Sequence, residues 1–201
     1  MTVSAEGPHS RSRDLALIAI FAGFIAALAI VPAFQPPGFS VPITAQTLGV
    51  MLAGAILGAR RGALAVLTLL VLVAIGLPLL ASGRAGLGPF FTPSGGFLVG
   101  WPVAAFVTGW LTERGGATYR LAWGVVANVV GGIVVLYVFG IAGIAWIGHI
   151  PLTEAVVSTW IFIPGDLVKA VLAAVIAKGV HAAYPGLLGD TRRKEKADSA
   201  V

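Results

Sequence analysis

The sequence contains no cysteine, which excludes disulfides, a thiol nucleophile and a thiolate metal site. It is poor in charge: Asp, Glu, Lys and Arg make up 10% of 201 residues, against roughly 25% in an average soluble domain. Its three histidines are scattered with no local ligand spacing, which gives no basis for a metal centre. No G-x-x-x-x-G-K-[ST] occurs, and the Gly-rich stretch Ser82 to Gly88 has no such lysine, so the chain does not cradle ATP phosphates in the P-loop manner. What the sequence does have is apolar length, with 58% hydrophobic residues and a mean hydropathy of +0.97. Long apolar runs rather than alternating strands fill it, so the expected class is an all-α integral membrane protein.

The runs predict one membrane domain between two polar tails. Residues 1–13 form an N-terminal tail, 14–183 a six-helix bundle, and 184–201 a basic C-terminal tail with Arg192, Arg193, Lys194 and Lys196. The predicted spans are Leu15 to Val31, Gln46 to Gly58 (short for an upright crossing), Gly62 to Leu80, Gly95 to Leu111, Leu121 to Phe139 and Pro164 to Ala183. A signal peptide is the competing reading of the first run, but the run is long for one and no clear cleavage site follows. Pro32 to Thr44 and Ala81 to Ser94 are loops rich in Pro and Gly, and Gly140 to Ile163 is read as a long connection. In the first span Ala19, Gly23 and Ala27 recur every fourth residue, with Ala22 and Ala26 beside them. Such a stripe serves either internal packing or a partner helix.

A net charge of +5 might suggest nucleic acid, but the distribution of that charge points to a membrane. With both tails in the cytoplasm, every Lys and Arg except Arg84 and Lys169 falls on the inner side. That bias predicts six crossings with cytoplasmic N and C termini. Arg84, alone in an outer loop, opposes the bias and is marked for a task.

The outer end also gathers chemistry. Pro164 suits the first turn of a helix, where its missing N–H costs nothing. Asp166 follows where a carboxylate complements the helix dipole, and Lys169 projects from the same face three residues later. Charges inside a membrane span are costly and functional by default. With Gln46 at the head of the second span and Arg84 in its loop, these groups can reach one cavity with a formal surplus of one positive charge. A ligand with one carboxylate would balance it. Asn128, near the middle of the fifth span, is either a deep ligand contact or an interhelical hydrogen bond.

Three segments carry a family resemblance: Val41-Pro42-Ile43-Thr44-Ala45-Gln46-Thr47-Leu48-Gly49 continuing to Arg60-Arg61-Gly62, then Thr92-Pro93-Ser94-Gly95-Gly96-Phe97-Leu98-Val99-Gly100, and Phe162-Ile163-Pro164-Gly165-Asp166-Leu167-Val168-Lys169. Together they resemble BioY, the biotin-specific substrate-binding (S) component of energy-coupling-factor (ECF) vitamin transporters. The resemblance implies a six-helix bundle that captures biotin from outside and docks on a transmembrane coupling (T) protein with a pair of ABC ATPases. It implies biotin binding by Asp166 and Lys169, and contact of the coupling protein with the small face of the first helix, Ala19, Gly23 and Ala27, with Ala22 and Ala26 adjoining. Thr44, Gln46, Arg84, Gly96, Phe97 and Asn128 complete the candidate ligand set. Phe97 stands where the family often has tyrosine. Either Arg84 or Lys169 would pair with the biotin carboxylate, and Arg84 offers bidentate geometry. The first outer loop, Phe34 to Val41, is read as a lid.

Rival readings are an S component for another vitamin, a channel, and an intramembrane enzyme. A channel wants repeated pore-lining polar residues, which the spans lack. A serine hydrolase would need Ser94 beside a base, but His181 is expected at the opposite membrane face, and nothing orients His149. The chain is therefore expected not to be an enzyme, to use no cofactor of its own, and to bind no nucleic acid.

Overall fold

Backbone polar groups in lipid must be satisfied within the protein, and a helix satisfies its own. The computed structural model describes residues 8–116, 118–185 and 187, and these are mostly helical, with two long connections, Val31 to Ala45 and Ile75 to Ser94, that carry the isolated bridges Phe34 with Ile43 and Leu80 with Arg84. Helix α1 spans Pro8–Ala27 and closes in a 3-10 turn, Leu28–Ile30. Helix α2, Gln46–Leu57, is joined through Gly58 alone to α3, Ala59–Ala74. That reversal holds Gly58 at a φ of 83°, which a side chain would resist. Helix α4 is Gly95–Arg114 and α5 is Leu121–Gly148, with a π-helical stretch at Val130–Val135. Helix α6, Leu152–Thr159, passes through the turn Trp160–Phe162 into α7, Ile163–Ala183.

Four segments are long and apolar enough to cross a membrane: Arg11–Ile30, Gly95–Arg114, Leu121–Gly148 and Leu152–Ala183. The paired α2 and α3 are shorter. Several boundaries differ from the sequence reading. Residues 8–13 are the first turns of α1 rather than tail, whereas 1–7 and the basic tail 188–201 lie outside the described residues. The third run stops at Ala74, since Gly76 takes a φ of 110° and Pro78 cannot continue a helix. The expected connection from Gly140 to Ile163 is mostly helix. Only the left-handed His149, Ile150 and Pro151 interrupt it, because the residues on either side are apolar helix formers.

Small residues hold the interior. Ala53, Ala55, Ala65, Ala104, Ala105, Ala170, Ala173, Ala174 and Ala177 are fully buried. Helix α4 is central and packs on α2, α3 and α5. A Cβ on Gly54 would collide with the Ala105 carbonyl, and one on Gly109 with the Ala59 backbone, so these helices meet backbone to backbone. Large aliphatics face outward: Ile20, Val71, Val99, Val138 and Val168 are more than half exposed. Such a surface is a liability in water and ordinary in lipid.

One end of the bundle, where α1, α3 and the segment after α7 come together, is tied by Arg61. Its Nη1 pairs with Asp14 Oδ1 at 3.1 Å, Nη2 donates to the Leu187 carbonyl at 2.6 Å, and Nε donates to the Leu57 carbonyl at 3.1 Å. Nearby, Tyr119 stacks on His181 at 5.0 Å between ring centres, and His181 Nε2 lies 2.9 Å from the Ala55 carbonyl oxygen.

Candidate functional site

The opposite end is built around the start of α7. Pro164 occupies its first turn, and Asp166 follows in that turn, 5% exposed. Lys169 Nζ donates to Asp166 Oδ1 at 2.9 Å, to the Thr44 carbonyl at 2.8 Å and to Thr47 Oγ1 at 3.0 Å. An ammonium has three hydrogens, so its donors are fully used. The second carboxylate oxygen, Oδ2, accepts from the Tyr137 hydroxyl at 2.8 Å. A buried carboxylate thus carries two partners, as burial of charge requires. Tyr137 reaches it because the π-helical stretch ends just before Leu136. A π-turn adds a residue to the helix and rotates everything beyond it by about 100°.

Gln46, 1% exposed, heads α2. Its Nε2 donates to the carbonyls of Ile25 at 3.2 Å and Leu79 at 2.9 Å, and its Oε1 accepts from the Ala81 N–H at 2.9 Å. The amide is therefore spent on backbone. It braces α1 and the loop after α3 rather than standing ready to exchange hydrogen bonds with a ligand. Beyond that brace, Arg84 Nη1 donates to Ser94 Oγ at 3.0 Å, and Ser94 Oγ lies 2.9 Å from Thr92 Oγ1. Burial pushes the Arg84 guanidinium below its ordinary pKa. No carboxylate pairs with it among the described residues.

These groups surround a cavity of about 50 Å³, lined by Thr44, Gln46, Arg84, Phe97, Asp166 and Lys169 from the sequence-predicted set. Phe97 stands edge-on to Tyr137 at 6.2 Å and to Phe162 at 6.1 Å, giving an aromatic wall. Val41 and Phe162 line this cavity and also a larger cleft of about 530 Å³, bounded by Gly38, Ile150, Glu154 and Val157. The segment between the two spaces is pinned by paired backbone hydrogen bonds, Phe34 N–H to the Ile43 carbonyl at 3.0 Å and Ile43 N–H to the Phe34 carbonyl at 2.8 Å.

Gly96 and Asn128 do not line the cavity. A Cβ on Gly96 would collide with the Phe139 carbonyl and Gly143, so Gly96 serves the close contact of α4 with α5. Asn128 Nδ2 donates to the Ala170 carbonyl at 3.2 Å, joining α5 to α7. Tyr137, Thr47 and Ser94 are polar site groups that the sequence reading did not select. No local spacing in the sequence ties Tyr137 to Asp166, which lies 29 residues further on. On α1, Ala19, Gly23 and Ala27 are exposed on one face and Ala26 is half-buried, whereas Ala22 is 2% exposed and packs inside the bundle.

Ser94 and His181 sit at opposite ends of the bundle, engaged with Arg84 and Ala55 respectively. No cluster of metal-ligating side chains occurs among the described residues.

Comparison with known proteins adds four findings. The pattern of the BioY family matches residues 1–186. The chain is 51% identical over 180 residues to a biotin transporter BioY of Rhizobium etli, covering 87% of this chain and 96% of that protein. It is 50% identical to a biotin transporter BioY of Rhodobacter capsulatus, covering 88% and 97%. Its fold is similar to a crystal structure of the S-component for biotin from an ECF-type ABC transporter, with a TM-score of 0.84, 29% identity, and coverage of 89% of this chain and 95% of that one.

Proposed function

The chain belongs to the BioY family of transporters, and from that premise we propose that it takes up biotin as the S component of an ECF-type ABC transporter. It is a transport protein and not an enzyme. The observation that carries the reading is the buried Asp166–Lys169 pair, with Tyr137 on the second carboxylate oxygen, beside a cavity that also receives Arg84.

Biotin offers two ureido N–H donors, an apolar thioether ring and a carboxylate. An ionised Asp166 accepts from the ureido nitrogens, and charge-assisted bonds of that kind are the strong ones. The wall of Phe97, Tyr137 and Phe162 packs on the ring. Lys169 is neutralised by Asp166, which leaves Arg84 as the surplus cation, so the carboxylate pairs with Arg84. The 50 Å³ cavity is far smaller than the roughly 300–1,000 Å³ of a typical ligand pocket. Biotin therefore enters by displacing the segment from Phe34 to Val41, which merges the cavity with the outer cleft.

The bundle crosses the plasma membrane six times with both termini in the cytoplasm, a topology supported by the distribution of Lys and Arg. A transmembrane coupling protein docks on the exposed stripe Ala19, Gly23 and Ala27, and a pair of ABC ATPases supplies the energy this chain has no motif to provide.

The deciding experiment is equilibrium binding of labelled biotin to detergent-purified protein, wild type beside Asp166→Asn and Lys169→Ala. Tight wild-type binding that falls by about 100-fold in Asp166→Asn is expected, since a lost bond to a charged group costs about 1.5–3 kcal/mol. A folded wild type that ignores biotin would sink the ligand assignment.

A further inference from the structure

Burying a donor without a partner costs about 1–3 kcal/mol, so each such donor calls for a physical reason, and beside a cavity a ligand that supplies the acceptor is one. Among the described residues, Trp101 Nε1, Thr108 Oγ1, Tyr119 Oη and Asn128 Oδ1 are buried without a hydrogen bond. Only Trp101 also lines the cavity beside Asp166. Its side chain is held there, since the residue is 4% exposed and belongs to the core on α4.

The position is deep. At 1.5 Å per residue, Trp101 lies about 9 Å along α4 from Gly95, and Asp166 only about 4.5 Å along α7 from Ile163. Arg84 stands outside the helices, in the loop before α4. Other donors at depth are committed: Gln46 Nε2 to two carbonyls and Lys169 Nζ to three acceptors. A ligand acceptor reaching the floor of the site therefore meets one uncommitted N–H, that of Trp101.

We infer that Trp101 donates its indole N–H to the ureido carbonyl oxygen of bound biotin, and so selects for a neutral urea at the deep end of the ligand. The inference rests on the biotin-capture reading. With the carboxylate at Arg84 and the ureido nitrogens at Asp166, the carbonyl oxygen is the strong acceptor still to be satisfied. A thioether sulfur is a weak acceptor by comparison.

The test compares biotin with 2-iminobiotin, whose protonated guanidinium at neutral pH has a donor where biotin has the carbonyl oxygen. The full-length protein is purified as wild type, as Trp101→Phe, and with benzothienylalanine incorporated at position 101, which keeps the ring shape and replaces N–H by sulfur. Biotin affinity should fall about tenfold in both variants, while 2-iminobiotin affinity changes less than twofold. Unchanged biotin affinity in the benzothienylalanine protein overturns the inference, as does equal weakening of both ligands, which would mark Trp101 as a packing residue. Wild type that fails to bind biotin removes the underlying reading and this inference with it, an outcome distinct from the other two.

Discussion

Two ion pairs sit at opposite ends of the bundle. Asp166 and Lys169 are 7% and 16% exposed in their side chains, lie three residues apart on one helix, and are surrounded by side-chain hydroxyls. Asp14 is 47% exposed and Arg61 14%, and Arg61 gathers backbone carbonyls from separate parts of the chain. The first pair also reaches α5 through Tyr137 and the head of α2 through Thr44 and Thr47, but both its members line the cavity, where in the proposed reading a ligand meets Asp166. The second joins α1, α3 and the segment after α7, and it is a fastening. Similar residues thus line a cavity at one end and fasten the fold at the other, and their place in the bundle distinguishes them.

The largest effect that would sharpen this contrast lies at the site end. Arg84→Ala should weaken biotin by about 10- to 100-fold, the range for a lost charged hydrogen bond, while biotin methyl ester binds wild type and variant alike. Equal losses for acid and ester in competition binding would place the carboxylate elsewhere. Tyr137→Phe should cost about fivefold in biotin affinity, because Asp166 keeps Lys169 but loses one neutral donor. Arg61→Ala should leave biotin affinity within about twofold and lower the melting temperature by about 3–5 °C, given that each kcal/mol is worth about 2–4 °C at this chain length. Loss of binding in a folded Arg61→Ala protein would erase the distinction between the two ends.

The smallest effect concerns Tyr119, whose hydroxyl burial pushes up to about 12. A pKa raised in the folded state gives stability that is complete below the unfolded value near 10 and is lost as pH rises toward 12. Tyr119 is partly exposed, so the effect is modest. The difference in melting temperature between wild type and Tyr119→Phe should be flat below pH 9 and shift in favour of the phenylalanine above pH 10.

Much of the site could be read from the residues. Asp166 and Lys169 lie three apart on a helix, and that spacing dictates their contact. Arg84 stood out because its charge opposed the topology bias. Phe97 and Thr44 came with the family segments and do line the cavity. What escaped reading has a common cause. In lipid all faces of a helix are apolar, so hydrophobic periodicity no longer says which way a residue points. Ala22 turns inward and Gly23 outward on a stripe that looks uniform in sequence. The same blindness hid the helical character of residues 140–148 and the π-stretch that brings Tyr137 to Asp166. Gln46 was placed correctly at the cavity, but only the structure shows its amide already committed to backbone.

That commitment has a mechanical consequence. One amide joins Ile25 of α1, Leu79 and Ala81 of the Arg84 loop, and the first turn of α2 into a single joint. A pull on the Arg84 loop either carries the end of α1 with it or breaks a buried hydrogen bond. The exposed small-residue stripe lies on that same helix, so under the proposed docking the joint would act as a lever between a small molecule at one end and a protein surface along the side. Thermodynamic reciprocity then makes the lever work in both directions: whatever factor a ligand applies to docking along α1, docking along α1 applies to the ligand.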